Sequence, residues 1–202
     1  DRTDHVDFLY NPAPEPKRRE KPEPYFLFAA YFDSQMNKGY DVLLEAFSKT
    51  IKVHPEWKLI LCGDGDMERV RQLIDRFQLG DSVSTPGWVS GQVKESYFSH
   101  AFAYCLCSRQ EGLPITILEA LAYGLPILTT PVGCLPEILT DEENALFFQV
   151  GNPDQLARQM CRLIEDPEIY EALSRKAKLL AEGPLSQACF LEKLDHIYQS
   201  LA

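Results

Sequence analysis

The chain has 202 residues, 45% of them hydrophobic and 25% charged, which is the balance of one ordinary globular domain with a buried core. Its formal net charge of −10 argues against a nucleic-acid partner or a general anionic-membrane surface, so any phosphate site must be local. No apolar run approaches the ~18 residues of a membrane span, and the start of the chain has no signal-peptide pattern.

The first 24 residues are not predicted to form a domain of their own. Val6–Tyr10 can form a short strand that is closed by Asn11-Pro12. The prolines and charges that follow predict an extended, solvated linker up to residue 24. An ordinary frayed terminus is the alternative.

From residue 25 onward, predicted strands alternate with predicted helices. Apolar runs predict strands at Tyr25–Tyr31, Trp57–Cys62, Val83–Pro86, Ala101–Cys107, Ile127–Thr130 and Ala145–Gln149. Helical periodicity and end signals predict helices at about 40–53, 66–77, 92–99, 114–123, 135–139, 153–165, 167–182 and 186–200. This alternation predicts an α/β fold, a Rossmann-like doubly wound parallel sheet that binds ligands at the carboxyl ends of its strands.

The six cysteines lie mostly in apolar strand or helix contexts rather than in paired loop positions. No spacing of cysteine and histidine resembles a metal site. We therefore expect six reduced thiols, no bound metal and a cytoplasmic protein.

The stretch from Ser108 to Pro126 is the most informative part of the chain. It follows a predicted buried strand, and Pro114 suits the first position of a helix that Gly124 and Pro126 would end. This helix, predicted at Pro114–Tyr123, is apolar nearly all round and should therefore be buried.

Two glutamates flank the start of that helix. Glu119 lies within it, and a buried carboxylate needs a partner. Glu119 is thus either a core residue bonded to a backbone amide or basic side chain, or an acceptor for ligand hydroxyls. Glu111 lies at the helix mouth, where free N–H groups favour phosphate. Two carboxylates in these places, with Glu119 the deeper, suit a ligand with hydroxyls at both ends and phosphate between, such as a nucleotide sugar.

The sequence E-G-L-P-I-T-I-L-E-A-L-A-Y-G-L-P resembles the signature of retaining, nucleotide-sugar-dependent glycosyltransferases of the GT-B fold, family 4 or group 1. The resemblance covers about Tyr25 to Ala202. It implies that residues 25–202 are the C-terminal, donor-binding domain, and that 1–24 are the end of an N-terminal domain and the interdomain linker. It also implies that Glu111 contacts the donor sugar, that Glu119 binds the ribose hydroxyls, and that the donor further contacts Gly112, Leu113, Ile115 and Thr116.

Lys38-Gly39 resembles the end of the family motif G-R-x-x-x-x-K-G, whose arginine and lysine hold the donor diphosphate. The resemblance therefore assigns Lys38 to the diphosphate, although a solvated loop lysine is the alternative. Ala30-Tyr31 stands where Gly-Arg is expected, so one cation is missing. Arg109, next to the motif that contains Glu111, is hypothesised to replace it.

Two further segments resemble parts of the family's nucleotide cleft. Gly63 and Gly65 form a G-x-G turn that either lines the cleft or only makes a turn. Trp88 lies in G-W-V, where it either packs beside the base or belongs to the core.

The implied enzyme is a hexosyltransferase in glycan or cell-surface polysaccharide biosynthesis. It would take a UDP-, GDP- or ADP-hexose, transfer the hexosyl group with retention to an acceptor hydroxyl, and need neither metal nor cofactor. The acceptor would bind to the missing N-terminal domain, so this chain alone should be inactive. Any peripheral contact with the cytoplasmic membrane face would also come from that domain.

Other functions remain open at this point. A degenerate nucleotide-sugar-binding module or partner subunit would explain the missing arginine. A nucleotide-sugar epimerase or a glycan phosphorylase would keep the fold and change the chemistry. A flavodoxin-like signalling domain would not explain the two glutamate-containing motifs.

Overall fold

The computed structural model describes residues 9–201. Its strands are β1 (Tyr25–Ala29), β2 (Lys58–Cys62), β3 (Val83–Gly87), β4 (Ala103–Leu106), β5 (Ile127–Thr129) and β6 (Leu146–Phe147). Its helices are α1 (Tyr40–Thr50), α2 (Met67–Arg76), α3 (Gly91–His100), α4 (Ile115–Ala122), α5 (Leu135–Ile138), α6 (Pro153–Glu165), α7 (Pro167–Glu182) and α8 (Gln187–Leu201). The elements predicted from residue 25 onward are therefore present, with ends that differ by a few residues.

The six strands form one parallel sheet in the order β3-β2-β1-β4-β5-β6. Leu27 of β1 pairs with Ile60 on one side and Tyr104 on the other. The strand order reverses between β1 and β4, which is where ligands bind in open α/β sheets. The predicted Rossmann-like parallel sheet is confirmed.

The core is built around strand β1, which is buried at all five residues. A parallel sheet with helices on both faces hides its central strands completely, which is why β1 and β4 read as continuous apolar runs. Helix α1 packs on α6, and α4 packs on α7. Helix α2 is capped by Asp66, whose side chain accepts the Arg69 backbone N–H.

The proline-rich segment 11–24 is docked on the domain through backbone hydrogen bonds, which the prediction of a linker did not include. Most of its residues are nevertheless exposed, as expected for a solvated segment. Its backbone N–H groups donate along its length, from Ala13 to Leu185 O at 2.7 Å and from Lys17 to Ala122 O at 2.9 Å. Ala13 is only 1% exposed. Residues 6–8 of the strand predicted at Val6–Tyr10 lie outside the described residues.

Arg19 holds this segment in place. Its partly buried guanidinium donates hydrogen bonds to five acceptors, which are Gly124 O, Ser174 Oγ, Ala101 O, Phe102 O and Tyr170 OH. It also lies 5.4 Å from the centroid of the Tyr170 ring. One charged group thus joins the segment to α7, to the two residues before β4 and to the second residue after α4.

Within residues 9–201, no helix is both long and apolar enough to cross a lipid bilayer.

Candidate functional site

A pocket of about 370 Å³ opens at the carboxyl ends of the central strands. The last residues of three strands line it, namely Ala29 of β1, Cys62 of β2 and Leu106 of β4. This is the ligand position that the strand order predicts. A wider depression of about 930 Å³ lies along α6, far from the strand ends, where charged groups such as Lys49 and Asp154 pair with one another at 2.7 Å. We therefore place the candidate site in the smaller pocket.

Lys38 reaches the pocket from the loop after β1. The next residue, Gly39, has φ +66°, and a Cβ there would lie 1.9 Å from Cys107 O. Only glycine permits this close approach, which brings the loop after β1 against the end of β4. As a result Lys38 Nζ lies 2.7 Å from Glu111 Oε1.

Glu111 is held in one orientation by the loop after β4. Ser108 Oγ donates to Glu111 Oε1 at 2.5 Å, and Thr130 Oγ1 donates to Ser108 O at 2.6 Å. The Glu111 side chain is 7% exposed and that of Glu119 is 22% exposed. The expectation that Glu119 is the deeper carboxylate is therefore wrong, because the loop after β4 folds over Glu111.

Helix α4 points its N-terminus at the pocket. Pro114 is the N-cap rather than the first helical residue, with φ −68° and no side-chain cap. The first N–H groups of a helix have no partner within it, so those of Ile115 and Thr116 can bind an anion. Both residues line the pocket. Ile115 is 63% exposed, so the helix is not buried all round as predicted.

Glu119 is paired with Lys94, a residue that the sequence reasoning missed. Lys94 Nζ lies 2.6 Å from Glu119 Oε1, whereas Glu119 Oε2 is buried with no hydrogen-bond partner among the described residues. Lys94 lines the pocket, and Glu119 borders an adjoining cavity of about 330 Å³ that Lys94 also borders. The lysine ammonium thus covers one carboxylate oxygen and leaves the other unsatisfied.

Trp88 and Gly63 also line the pocket. Trp88 is 72% exposed, which rules out the alternative that it belongs to the core. Gly63 has φ +150°, and a Cβ there would lie 1.8 Å from Ala30 O, so the backbone comes close to β1 at the pocket floor.

Besides Glu119 and Arg109, three of the residues expected at the donor site do not line the pocket, namely Gly65, Gly112 and Leu113. Gly65 is a glycine because a Cβ would lie 2.4 Å from Phe32 O. Gly112 O accepts the Cys134 N–H at 3.1 Å, and Leu113 packs against the core. Their described contacts hold the surrounding loops in place.

Arg109 does not occupy the place of the missing cation. Its two terminal nitrogens donate to the Asp41 carboxylate at 2.9 and 2.7 Å, and one of them also donates to Met36 O. The hydrogen bond to Asp41 raises the pKa of Arg109 further. The structure gives no support to the hypothesis that Arg109 replaces the arginine, because Arg109 does not line the pocket and its guanidinium is paired with Asp41 at the start of α1.

Comparison with known families decides the identity. Residues 12–180 match the family described as glycosyl transferases group 1. The chain belongs to this family. An uncharacterized glycosyltransferase of Haemophilus influenzae is 31% identical over 149 residues, which are 72% of this chain and 41% of that protein.

Solved glycosyltransferase structures share the fold. The C-terminal domain of a glycosyl transferase group 1 family protein (LpcC) from Francisella tularensis aligns with a TM-score of 0.71 at 22% identity, over 80% of this chain and 86% of that one. Anabaena HepE, solved in complex with UDP, aligns with a TM-score of 0.79 at 19% identity, over 88% of this chain and 49% of that one. The fold is that of the C-terminal domain of a GT-B glycosyltransferase, and the chain spans less than half the length of its curated relative.

The cysteines of this glycosyltransferase domain are free thiols. Cys62, Cys105 and Cys107 are buried, whereas the other three are partly exposed. Burial raises the pKa of Cys62 to about 12, so the thiol at the pocket floor stays protonated at neutral pH. Among residues 9–201, no three metal-ligating side chains are grouped to hold an ion.

Proposed function

We propose that this domain binds a nucleoside diphosphate hexose in the pocket at the strand ends. The hexosyl group would then be transferred, with retention, to an acceptor hydroxyl. The observation that carries the proposal is the Lys38–Glu111 pair at the N-terminus of α4, which places a cation, a carboxylate and free N–H groups together. The family membership, and the UDP that HepE binds, agree with a nucleotide as part of the ligand.

The diphosphate is assigned to Lys38 and to the N–H groups of Ile115 and Thr116. A cation and a helix N-terminus together stabilise the charge that develops on a leaving diphosphate. The protein itself holds these groups in place. Gly39 sets how closely the loop that carries Lys38 approaches β4, and Pro114 caps α4. We propose that no metal is needed.

The hydroxyl groups are assigned to the two carboxylates. Glu111 faces the pocket beside Lys38 and would accept hydrogen bonds from the hexose. The unsatisfied Oε2 of Glu119 would accept a ribose hydroxyl, since a buried carboxylate oxygen without a donor is costly. The base would lie beside Trp88 and Val89, which also line the pocket.

We propose that the acceptor binds to a part of the protein outside this chain. The chain covers 41% of its H. influenzae relative, so the longer protein would have room for an acceptor-binding domain. A cytoplasmic enzyme of polysaccharide assembly, with any membrane contact made by that domain, fits this arrangement. No side chain is assigned to proton transfer, and retention is proposed from the family resemblance.

A binding module without transferase activity is the second candidate. The observation that favours it is the neutral pair Ala30 and Tyr31 at the pocket, where the family motif has a cation. Such a module would bind the same nucleotide sugar and leave it intact.

Calorimetry with UDP, GDP, ADP and their hexose conjugates tests both candidates. We expect one nucleotide to bind, and Glu119→Gln to weaken it about tenfold because an ionised acceptor is lost. Glu142→Gln is the control, since Glu142 pairs with Arg162 outside the pocket. If none of the nucleotides binds, the proposal fails. Transfer by the full-length protein then separates the enzyme from the binding module.

A further inference from the structure

Lys94 lies on the boundary between two cavities. It lines the pocket at the strand ends and also the adjoining cavity that Glu119 borders. It belongs to the first turns of α3, and its side chain is 32% exposed. Among the described residues, its ammonium has one hydrogen-bond acceptor, Glu119 Oε1 at 2.6 Å. An ammonium has three donors, so this contact leaves capacity for a ligand.

Both carboxylates of the site are paired with a lysine in the same way. Lys38 holds Glu111 at 2.7 Å, and Lys94 holds Glu119 at 2.6 Å. Each pair is neutral, so the two pairs together have no uncompensated charge. A ligand that carries phosphates and hydroxyls offers both members of each pair a new partner.

The pocket has no other cation among the described residues. Its lining includes the neutral Ala30 and Tyr31, and its charged members are Lys38, Lys94 and Glu111. Arg109 lies outside this lining and is paired with Asp41. A diphosphate in this pocket would therefore meet two lysines and the N-terminus of α4 among the lining groups.

We propose that Lys94 is a second phosphate-binding residue for the donor, which exchanges Glu119 for a phosphate oxygen when the ligand binds. A ligand hydroxyl then takes the place of the ammonium at Glu119 Oε1. The inference rests on the proposed function, because it requires a ligand with both groups. While Lys94 stays at Glu119, Oε1 is already occupied, so the exchange frees this oxygen for a ligand hydroxyl.

The exchange is physically feasible because both partners remain paired throughout. A lysine side chain has four flexible carbons, so its ammonium can move several ångströms while α3 stays in place. Charged hydrogen bonds to phosphate are at least as favourable as those to a carboxylate. The partly buried Glu119 exchanges the ammonium for a hydroxyl donor.

Calorimetry on the 202-residue chain with Lys94→Met tests the inference. The probes are inorganic pyrophosphate, the diphosphates UDP, GDP and ADP, and the matching nucleosides. We expect pyrophosphate and the bound diphosphate to lose about tenfold or more in affinity, because a charged hydrogen bond is lost. The nucleoside should bind equally well or more tightly, because Glu119 is uncovered. Lys94→Arg should restore most of the diphosphate affinity.

Lys49→Met is the matched control. Lys49 has a similar exposure of 34% and is also paired with carboxylates, but it lies outside the pocket. It should leave every affinity unchanged. Lys94→Gln serves as a second neutral variant if Lys94→Met does not fold.

Two results would overturn the inference. One is an unchanged diphosphate affinity in Lys94→Met, and the other is an equal loss for nucleoside and diphosphate, which would mean that Lys94 only positions Glu119. If the unchanged chain binds no diphosphate, the proposed function itself fails. That outcome is distinct from a chain that binds the diphosphate without needing Lys94.

Discussion

Lys38 Nζ and Glu111 Oε1, 73 residues apart in the chain, lie 2.7 Å from each other. Their contact joins the loop after β1 to the loop after β4, across the point where the strand order reverses. The pair therefore supports the shape of the pocket as well as its charge, and both roles can be measured.

The Lys38→Met variant should lose stability as well as diphosphate affinity. It would leave the nearly buried Glu111 with Ser108 as its remaining donor among the described residues, which costs about 1–3 kcal/mol. Urea unfolding of the unliganded protein measures this cost. The double variant Lys38→Met/Glu111→Gln should recover part of it, because the uncompensated charge is gone. Strictly additive effects of the two changes would show that the pair is not coupled.

The Gly39→Ala variant should be strongly destabilised. Gly39 combines a φ of +66° with a gap too small for a Cβ, which would lie 1.9 Å from Cys107 O. We expect a loss of about 2 kcal/mol or more in unfolding free energy. Gly80→Ala is the control, since nothing lies within 4 Å of a Cβ there, and should change stability by less than about 0.5 kcal/mol. Equal effects at the two positions would refute this account of the loop.

The Arg19→Met variant should detach the proline-rich segment from the domain. Its partly buried guanidinium donates to five acceptors, three backbone carbonyls and two hydroxyl groups, all of which would lose a charged donor. A cost of about 2–4 kcal/mol is expected. Arg18→Met is the matched control, because the Arg18 side chain is 86% exposed. Unfolding curves and limited proteolysis within residues 11–24 give the comparison. A segment that stays protected in Arg19→Met would contradict the prediction.

Cysteine labelling should follow burial and pKa. Burial raises the pKa of Cys62 to about 12, and it also raises the pKa values of Cys105 and Cys107. A thiol reacts as its thiolate, which forms only as the pH approaches the pKa. Raising the pH from 7 to 9 should therefore not make these three thiols reactive toward iodoacetamide. Mass spectrometry of the folded protein should find label on the partly exposed Cys134 and Cys189 instead. Label on Cys62 at pH 8 would contradict the structure.

The order of the elements was predictable because the relevant signals are local. Apolar runs of strand length alternate with helical periodicity, and right-handed crossovers leave few ways to arrange them. The end of α4 was predicted from such a local signal. Gly124 adopts the left-handed conformation, φ +63°, that a glycine just past a helix is expected to have. Its start was misplaced by one residue because Pro114 suits either position.

The charge pairs of the site were not predictable from local signals. Glu119 finds Lys94 at a separation of 25 residues, and Arg109 finds Asp41 at a separation of 68. Neither pair has a sequence pattern, because only the folded sheet brings the loops together. Reasoning from the motif alone therefore left Glu119 without its partner.

The docking of the proline-rich segment was missed for a different reason. Prolines and charged residues usually indicate a solvated linker, and Arg19 looks like any other charge there. The acceptors of Arg19 include three backbone carbonyls, which every residue has and which no side-chain pattern identifies. Contacts to the backbone can thus dock a segment that composition alone assigns to a linker.

The unequal exposure of the two tryptophans gives this protein a built-in optical signal. Trp57 is 8% exposed and packs against Phe102 with ring centroids 4.5 Å apart, so its emission should be blue-shifted and insensitive to ligands. Trp88 is 72% exposed at the rim of the pocket, so its emission comes from an indole in water. A nucleobase that stacks on Trp88 would quench only the longer-wavelength part of the tryptophan emission, which comes from Trp88. Occupancy of the pocket can therefore be followed by fluorescence in the unlabelled chain.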